Sequence, residues 1–409
     1  MKKKVWLINQ YALPPKYESR LRTIKFAHYL NVAGYDVTIF ASSVMHNFNK
    51  NIIEDKSNYI EKLYDDLKFV HVYSPSYGDS KMKRIYSSIY FSFNLLKISK
   101  KFSSPDIIIQ TATVPFGNIL YYLAKKEKSQ YIVEVLDLWP ESFAEVGIMS
   151  RNNPIMKIGY FLERLQYKKA DKLVFSMEGG KQYLIDKEWD KKGIDLSKVF
   201  YLNNGVDLKD FNFYKSKWII EDGILKEHNI KRVIYVGSIR LANNVKMLID
   251  AAENLKEHRD IKFLIYGDGS ERENLELYCK QKKIDNVYFR QKWVDPQYIP
   301  YILSQSSVNI LNYKPQGFGH YGGSQSKMFQ YMASGKPICC NIRMMYCPIN
   351  KYNLGIAKEF KSSKEYSNAI FHLLSLSSVE YKVIRDNNIK AAELFDYKKL
   401  TQKLITLFK

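Results

Sequence analysis

The stretch Tyr321-Gly-Gly-Ser-Gln-Ser-Lys-Met-Phe-Gln-Tyr-Met-Ala-Ser-Gly-Lys-Pro337 is where residue types and spacing most directly suggest chemistry. A polar, glycine-rich loop runs into a short helix closed by Gly335-Lys-Pro337, and such a loop can turn backbone N–H groups and a helix N-terminus toward an anion. Lys327 adds a cation at that helix start. Where a leaving group gathers negative charge, a fixed cation and helix-end amides stabilise the transition state more than the ground state. The loop follows the apolar run Ser307-Val-Asn-Ile-Leu311, which reads as a buried strand. The expected site therefore lies beyond the carboxyl end of a strand, where open α/β sheets hold their ligands. A phosphorylated ligand fits.

Three more loops follow strand-like runs in the same half and should converge on one edge. In Gly237-Ser-Ile-Arg-Leu-Ala-Asn-Asn-Val-Lys246 a glycine permits close approach, and Arg240 and Lys246 can neutralise a diphosphate; an ordinary strand-to-helix turn with exposed basic residues reads equally well. Gly267-Asp-Gly-Ser-Glu271 resembles a phosphate loop, but Asp268 and Glu271 beside a helix start fit a turn and cap better. In Phe289-Arg-Gln-Lys-Trp-Val294, backbone groups and Trp293 can hold a flat base, or the segment is simply a buried strand end.

The elements that must position these loops alternate through both halves. Val5–Asn9, a helix over 20–33, Asp36–Ala41, Phe69–Tyr73, Ile107–Thr111, a helix over 116–126, Gln130–Leu136, Lys172–Ser176 and Val199–Leu202 lead to the turn sequence Asn204-Gly-Val-Asp207. The rhythm restarts at Lys231–Gly237 and continues through a helix near 245–255 and Ile261–Gly267. Apolar residues at helical spacing over 387–408 predict two closing helices. The expected fold class is α/β: two doubly wound, Rossmann-like domains facing across a cleft. The expected boundaries are 1–208, 209–385 and a closing segment 386–409, which can pack back on the first domain.

Composition narrows the partners. A chain of 409 residues exceeds what one core usually serves. The formal charge of +21 asks for an acidic partner: nucleic acid, anionic lipid or a phosphate-bearing small molecule. The basic residues are spread through both halves, and no zinc-finger spacing, RNP sequence or KH loop occurs, so nucleic acid is set aside. Cys279, Cys339, Cys340 and Cys347 show no CxxC spacing, which argues against a zinc site or a disulfide framework and fits a reducing cytoplasm. Met1-Lys-Lys-Lys-Val-Trp-Leu-Ile has too short an apolar run for a signal peptide, and no stretch approaches the roughly twenty apolar residues that cross a bilayer.

With these motifs in order, the chain resembles the retaining GT-B glycosyltransferases of family GT4, and within them the WbuB-like branch that builds O-antigen, capsule and exopolysaccharide units. The segments that carry the resemblance are Asn9–Pro15, Gly34–Thr38, Leu136-Asp-Leu-Trp-Pro-Glu-Ser142, Asn204–Asp207, Val236–Arg240, Gly267–Gly269 and the 321–337 loop. The resemblance implies a nucleotide-sugar donor, UDP-linked, on the second domain. Gly237, Ser238 and Arg240, with Lys246, would meet the diphosphate, Lys292, Trp293 and Val294 the base, and Gly323, Ser324, Ser326, Lys327, Met328 and Gln330 the phosphate and ribose. No cofactor or metal is implied, and no acidic pair of the DxD kind is evident. The family's two glutamates, eight apart, fall here on Gly322 and Gln330. A Gln can still accept from a ribose hydroxyl, and Ser324, Gln325 or Gln316-Gly-Phe-Gly319 can fill the space of the first. These departures keep a catalytically degenerate nucleotide-sugar-binding protein as an alternative, beside another GT-B enzyme such as a nucleotide-sugar epimerase or a phosphorylase.

The first domain would hold the acceptor, which in this branch is a polyprenyl-diphosphate-linked saccharide. In Pro14-Pro-Lys-Tyr-Glu-Ser-Arg-Leu-Arg22, Ser19 can cap the next helix while Arg20 and Arg22 add charge at its start; Lys16, Tyr17 and Glu18 replace the glycines of many relatives. Asp137 and Glu141 can polarise the acceptor hydroxyl or orient the sugar, alongside Arg240 and Lys327 on the donor side; Asp137 can equally cap a turn. His28 reads as structural, and His320 lies in the donor loop. Residues 81–102 have basic ends and an aromatic middle. They either lie on an anionic membrane, placing the protein peripherally on the inner face of the cytoplasmic membrane, or cover the first sheet through a core-facing stripe of Ile85, Ile89, Phe93 and Leu96.

Overall fold

The computed structural model describes residues 2–18, 20–46, 48, 50–55, 57–112, 117–145, 147–314 and 319–409. They divide into two compact units, Met1–Asn203 with Tyr397–Lys409, and Asn204–Asp396. Ser19 and 315–318 lie outside the described residues.

The first unit is built on strands β1 (Lys4–Ile8), β2 (Asp36–Ser42), β3 (Val44–Met45), β4 (Lys50–Asn51), β5 (Tyr59–Tyr64), β6 (Leu67–Val72), β7 (Ile107–Thr111), β8 (Gln130–Val135), β9 (Lys172–Phe175) and β10 (Val199–Tyr201). Eight of them form one sheet in the order β10-β9-β8-β7-β1-β2-β6-β5, while β3 and β4 pair by themselves. All neighbours in the large sheet run parallel except β5 against β6. The central strands are buried on both faces, which is why β7 and β8 are mostly apolar, with Gln110, Thr111, Gln130 and Glu134 as their buried polar positions. On one face, helix Arg22–Val32 and the C-terminal helix Tyr397–Ile405 share a core: Phe26 meets Tyr397 edge to face at 5.7 Å, and Leu400 and Leu404 close over Ile24 and Leu30.

The second unit carries β11 (Lys231–Val236), β12 (Ile261–Tyr266), β13 (Val287–Phe289), β14 (Val308–Leu311), β15 (Ile338–Cys340) and β16 (Gly355–Ala357). They form one sheet in the order β13-β12-β11-β14-β15-β16, with every pair parallel. Residues alternate between its two cores: Ile234, Val236, Leu264 and Tyr266 enter one, and Val233, Tyr235, Phe263 and Ile265 the other. The chain leaves β11 toward β12 on one side and returns to β14 on the other. Loops after β11 and β14 therefore flank the point where strand order reverses, which is where such sheets bind ligands.

Two expectations need correction. The units divide at 203/204 and 396/397 rather than at 208 and 385, because Ser378–Leu394 is one continuous helix whose Ala391 and Ala392 pack in the second unit's core. Only the last helix joins the first unit. The helix over 81–102 forms as Lys81–Ser99, capped by Ser80, but it is rotated from the expected setting. Its buried face is Ser87, Phe91, Leu95 and Ile98, and Asn94 fixes the rotation by donating to the carbonyls of Asn58 and Tyr73. Of the expected inner stripe, Ile85 (45% exposed) and Phe93 (57%) look outward, while Ile89 and Leu96 are half-buried.

Candidate active site

The loop and helix after β14 place Lys327 in a setting that asks for an anion. Gln325 is the N-cap of helix Ser326–Ser334 and gives it no side-chain cap, so the first-turn amides are not closed off by it. The Lys327 ammonium lies 5.0 Å from the Tyr235 ring centroid. No carboxylate comes within ion-pair distance of it among the described residues. Burial alone pushes its pKa down to about 8. A desolvated ammonium beside an aromatic face, with no carboxylate to pair with among the described residues, has the chemistry to accept a negatively charged ligand.

Gly237 makes room for it. Its φ is +154°, and a Cβ at that position would overlap the Lys327 Nζ. The neighbouring loop is fitted just as closely: a Cβ on Gly267 would strike the Gly237 carbonyl, and one on Gly269 the Ile239 carbonyl. Ile239 N–H donates to Asp268 O at 2.8 Å and Gly267 N–H to Gln291 O at 3.0 Å, so the loops after β11, β12 and β13 converge as expected. The glycines of 267–269 serve loop packing. Glu271 is the N-cap of helix Arg272–Lys282 but makes no capping bond with its side chain.

The remaining donor-side candidates fall into two groups. Ser238 and Arg240 sit exposed on the first loop, and Arg240 has no carboxylate partner among the described residues. Gly323, Ser324, Ser326, Met328 and Gln330 share the Lys327 loop and helix, with Met328 fully buried in the core beneath. Lys246 is engaged elsewhere, paired with Asp250 at 2.8 Å and lying over the Tyr278 ring, because i,i+4 spacing brings Asp250 alongside. Lys292 is exposed, Val294 packs on the core, and Trp293 is 75% exposed with its indole N–H held by Asp295 at 2.8 Å. His320 lies edge-on to Tyr321 at 4.7 Å. Sequence reasoning missed Tyr235, and it read Asn204 as part of a turn and of a motif that carries the resemblance, without a contact to the 321–337 loop. The Asn204 backbone N–H donates to Ser324 Oγ at 3.2 Å and its side-chain amide to Ser324 O at 2.7 Å, strapping the anion loop from across 120 residues.

In the first unit the two candidate carboxylates separate. Asp137, just past β8, accepts no side-chain hydrogen bond among the described residues, so it is not a turn cap. The residue is exposed overall but lines a recess with Ala112, Trp139, Glu163 and Gln166, where loss of solvent around its carboxyl raises its pKa while Arg20 opposes the rise. Glu141 is saturated. Its oxygens accept from Arg151 (2.8 Å), Tyr160 (2.6 Å) and Lys187 (2.5 Å), and although burial pushes its pKa up, those three donors outweigh it and hold it below the usual range. Glu141 is a structural clamp. Behind the recess, the buried Glu163 is pushed up to about 8 by desolvation and accepts from Tyr183 at 2.8 Å.

The basic residues before the first helix separate too. Arg22 is not an acceptor contact: it is buried, donating to Glu134 at 2.7 Å and to the carbonyls of Leu202 and Asn203, with its guanidinium 4.8 Å from the Phe26 ring. Helix Arg22–Val32 starts after Leu21, later than expected. Arg20 is exposed and held by Glu18, while Lys16 is exposed beside Tyr17. His28 pairs with Asp66 at 2.8 Å, in keeping with a structural role.

This architecture is matched among known proteins. Residues 216–391 fit the family model described as "Glycosyl transferases group 1". The second unit contains a group 1 glycosyltransferase domain. Over 233 residues the chain is 25% identical to the spore coat protein SA of Bacillus subtilis (strain 168), a match covering 52% of this chain and 59% of that relative's length. Two solved structures align end to end. The E. coli trehalose-6-phosphate protein bound with UDP-2-fluoro glucose has a TM-score of 0.75 at 12% identity, covering 100% of this chain and 99% of that one. WaaG, a glycosyltransferase involved in lipopolysaccharide biosynthesis, has 0.67 at 14%, covering 99% of each. At these identities the likeness is one of fold, and that fold is GT-B, with two Rossmann-like domains.

Within the glycosyltransferase domain, the backbone accounts for one unusual position. Gly322 has φ +95°, a backbone conformation that a residue with a side chain, such as glutamate, rarely adopts. Gln330 stands half-buried in the middle of helix Ser326–Ser334.

Proposed function

We propose that the protein is a retaining glycosyltransferase that moves a hexose or acetamido sugar from a nucleotide donor, UDP-linked, to a lipid-linked saccharide during surface-polysaccharide synthesis. One observation carries the reading: the half-buried, desolvated Lys327 at an uncapped helix start, with no carboxylate in ion-pair reach among the described residues, facing a glycine that leaves it room. Such a site suits a nucleoside diphosphate and stabilises it most as it departs. The bound UDP-2-fluoro glucose of the E. coli neighbour supports the donor class. The lipopolysaccharide role of WaaG supports the acceptor class. Asp137, whose carboxyl accepts no side-chain hydrogen bond among the described residues, is the residue we assign to orienting the acceptor hydroxyl.

A thermal-shift panel of UDP, GDP and ADP tests the donor. Ligand that binds only the folded state raises its melting temperature. A selective rise with UDP is expected; no rise with any nucleotide at millimolar concentration sinks the proposal. Binding without turnover of any UDP-sugar would favour the nonenzymatic reading, which Gly322 and Gln330 motivate.

The acceptor's lipid calls for a membrane surface, and helix Lys81–Ser99 offers one. No helix among the described residues is long and apolar enough to cross a bilayer. Its outward face carries Met82, Ile85, Tyr86 and Phe93, with Lys83 and Arg84 in the first turns and Lys97 and Lys100 at the far end. Apolar residues between cations suit an anionic bilayer on the cytoplasmic side. Flotation with phosphatidylglycerol vesicles at low salt should recover the protein, and Ile85→Ser with Phe93→Ser should leave most of it unfloated. Equal flotation of the two proteins removes this surface from the reading.

A further inference from the structure

Beside the recess of Asp137, the same sheet edge gathers three nitrogen bases from three separate segments. His46 follows β3, Arg84 lies on the first turn of helix Lys81–Ser99, and Arg20 precedes helix Arg22–Val32. Two tyrosines organise them. Arg84 Nε donates to Tyr11 Oη at 3.1 Å, with its guanidinium 5.0 Å from the Tyr11 ring centroid. His46 Nδ1 lies 2.9 Å from Tyr77 Oη, and its ring is 5.1 Å from that of Tyr11. Arg20 donates to the Tyr11 carbonyl at 2.6 Å. The charge is lopsided. Glu18 offsets Arg20, but both its oxygens are already taken, by the backbone amides of Leu13 and Arg20 as well as by the Arg20 side chain. No carboxylate pairs with Arg84 among the described residues. After burial itself, Arg84 and then Arg20 hold the pKa of His46 down, which shows the three in each other's field.

We propose that Arg84, His46 and Arg20 form an anion subsite for a phosphate or diphosphate group, separate from the donor site at Lys327. The Arg84 fork keeps its terminal nitrogens for the ligand while Tyr11 fixes its Nε, a geometry suited to phosphate oxygens. His46 adds a hydrogen bond from its second ring nitrogen. The outward Met82, Ile85 and Tyr86 begin on the same helical turns, so a phosphate held here has an apolar chain's landing surface next to it. The inference rests on the first unit being the acceptor side. It gives the lipid-linked acceptor a headgroup contact in which Arg84 and His46, which the sequence motifs left unassigned, join Arg20.

Inorganic pyrophosphate is the probe, titrated into the full-length Lys327→Met variant so that the donor site does not contribute. The expected result is saturable binding that Arg84→Gln weakens about tenfold or more, as loss of a hydrogen bond to a charged group implies. The His46 ring signals should move on titration. His46→Gln, on a different segment, should weaken binding in the same direction and covers the case in which Arg84→Gln folds poorly. No pyrophosphate binding to Lys327→Met, or binding unchanged by both substitutions, overturns the proposal. Vesicle flotation distinguishes the phosphate's source. An acceptor diphosphate predicts that Arg84→Gln still floats with phosphatidylglycerol vesicles but loses pyrophosphate; bilayer headgroups predict that both are lost together. Failure of the donor reading shows separately, in the response of the unsubstituted protein to UDP.

Discussion

Replacing Lys327 with methionine should make the ligand-free protein more stable while abolishing its response to nucleotide. The two effects have one cause. In the folded protein the ammonium is desolvated and meets no carboxylate among the described residues, so its pKa falls from 10.5 to about 8. Folding at neutral pH therefore carries a penalty that ligand binding would relieve. Methionine keeps the stem's volume and removes the charge, and we expect a gain of about 1–3 kcal/mol, after discounting the full pKa shift for solvent that still reaches the site. The sign of the pH dependence follows. Between about 8 and 10.5 the unfolded chain binds a proton that the folded one does not, so the unsubstituted protein should gain stability as pH rises through that window. The variant should lack that gain. Against this, the UDP-induced thermal shift should vanish, and kcat/KM should fall on the order of 10²–10³-fold, the usual cost of removing one preorganised group from a developing anion. A variant that is less stable, or that still shifts with UDP, would remove Lys327 from the donor site. Urea denaturation of both proteins at pH 7 and pH 10 measures the stability effects, the thermal shift with UDP the binding, and steady-state kinetics the loss of turnover.

The parts of this molecule that could be read from sequence are those whose cause is local. β7, β8, β11 and β12 announce themselves because a strand covered on both faces needs consecutive apolar residues, and the turn after β11 because Gly237 has no substitute at its φ. What escaped depends on partners far along the chain. Glu141 looked catalytic until Arg151, Tyr160 and Lys187 were seen to occupy it, and Asn204 looked like a turn residue until its bonds to Ser324 were visible. Helix Lys81–Ser99 defeated periodicity for a different reason. It carries apolar residues on two faces, and the choice between them was made by Asn94, a polar residue bonded to two strand-end carbonyls. Lys246 and Lys327 are one residue type on two helix first turns; only an aspartate four residues on, present for one and absent for the other, tells them apart.

Arg22→Met should be the most destabilising single change proposed for the first unit, and it should act without touching the acceptor. The guanidinium spans helix Arg22–Val32, Glu134 on β8 and the carbonyls of Leu202 and Asn203 just beyond β10, all in the interior. A buried ion pair contributes little net stability when formed, because desolvation offsets attraction, but removing one partner strands the other. Glu134 would retain only the Thr111 hydroxyl at 3.2 Å, and two carbonyls would lose a donor. The expected loss is about 3–5 kcal/mol. The double variant Arg22→Met, Glu134→Met should recover much of it, since two apolar side chains leave no uncompensated charge. Chemical denaturation of the two variants decides the matter. If Arg22 instead held the acceptor, the single variant would keep its stability and raise KM for acceptor alone. The structural account requires the reverse: a lower unfolding midpoint, recovery in the double variant, and activity that tracks the folded fraction with KM unchanged.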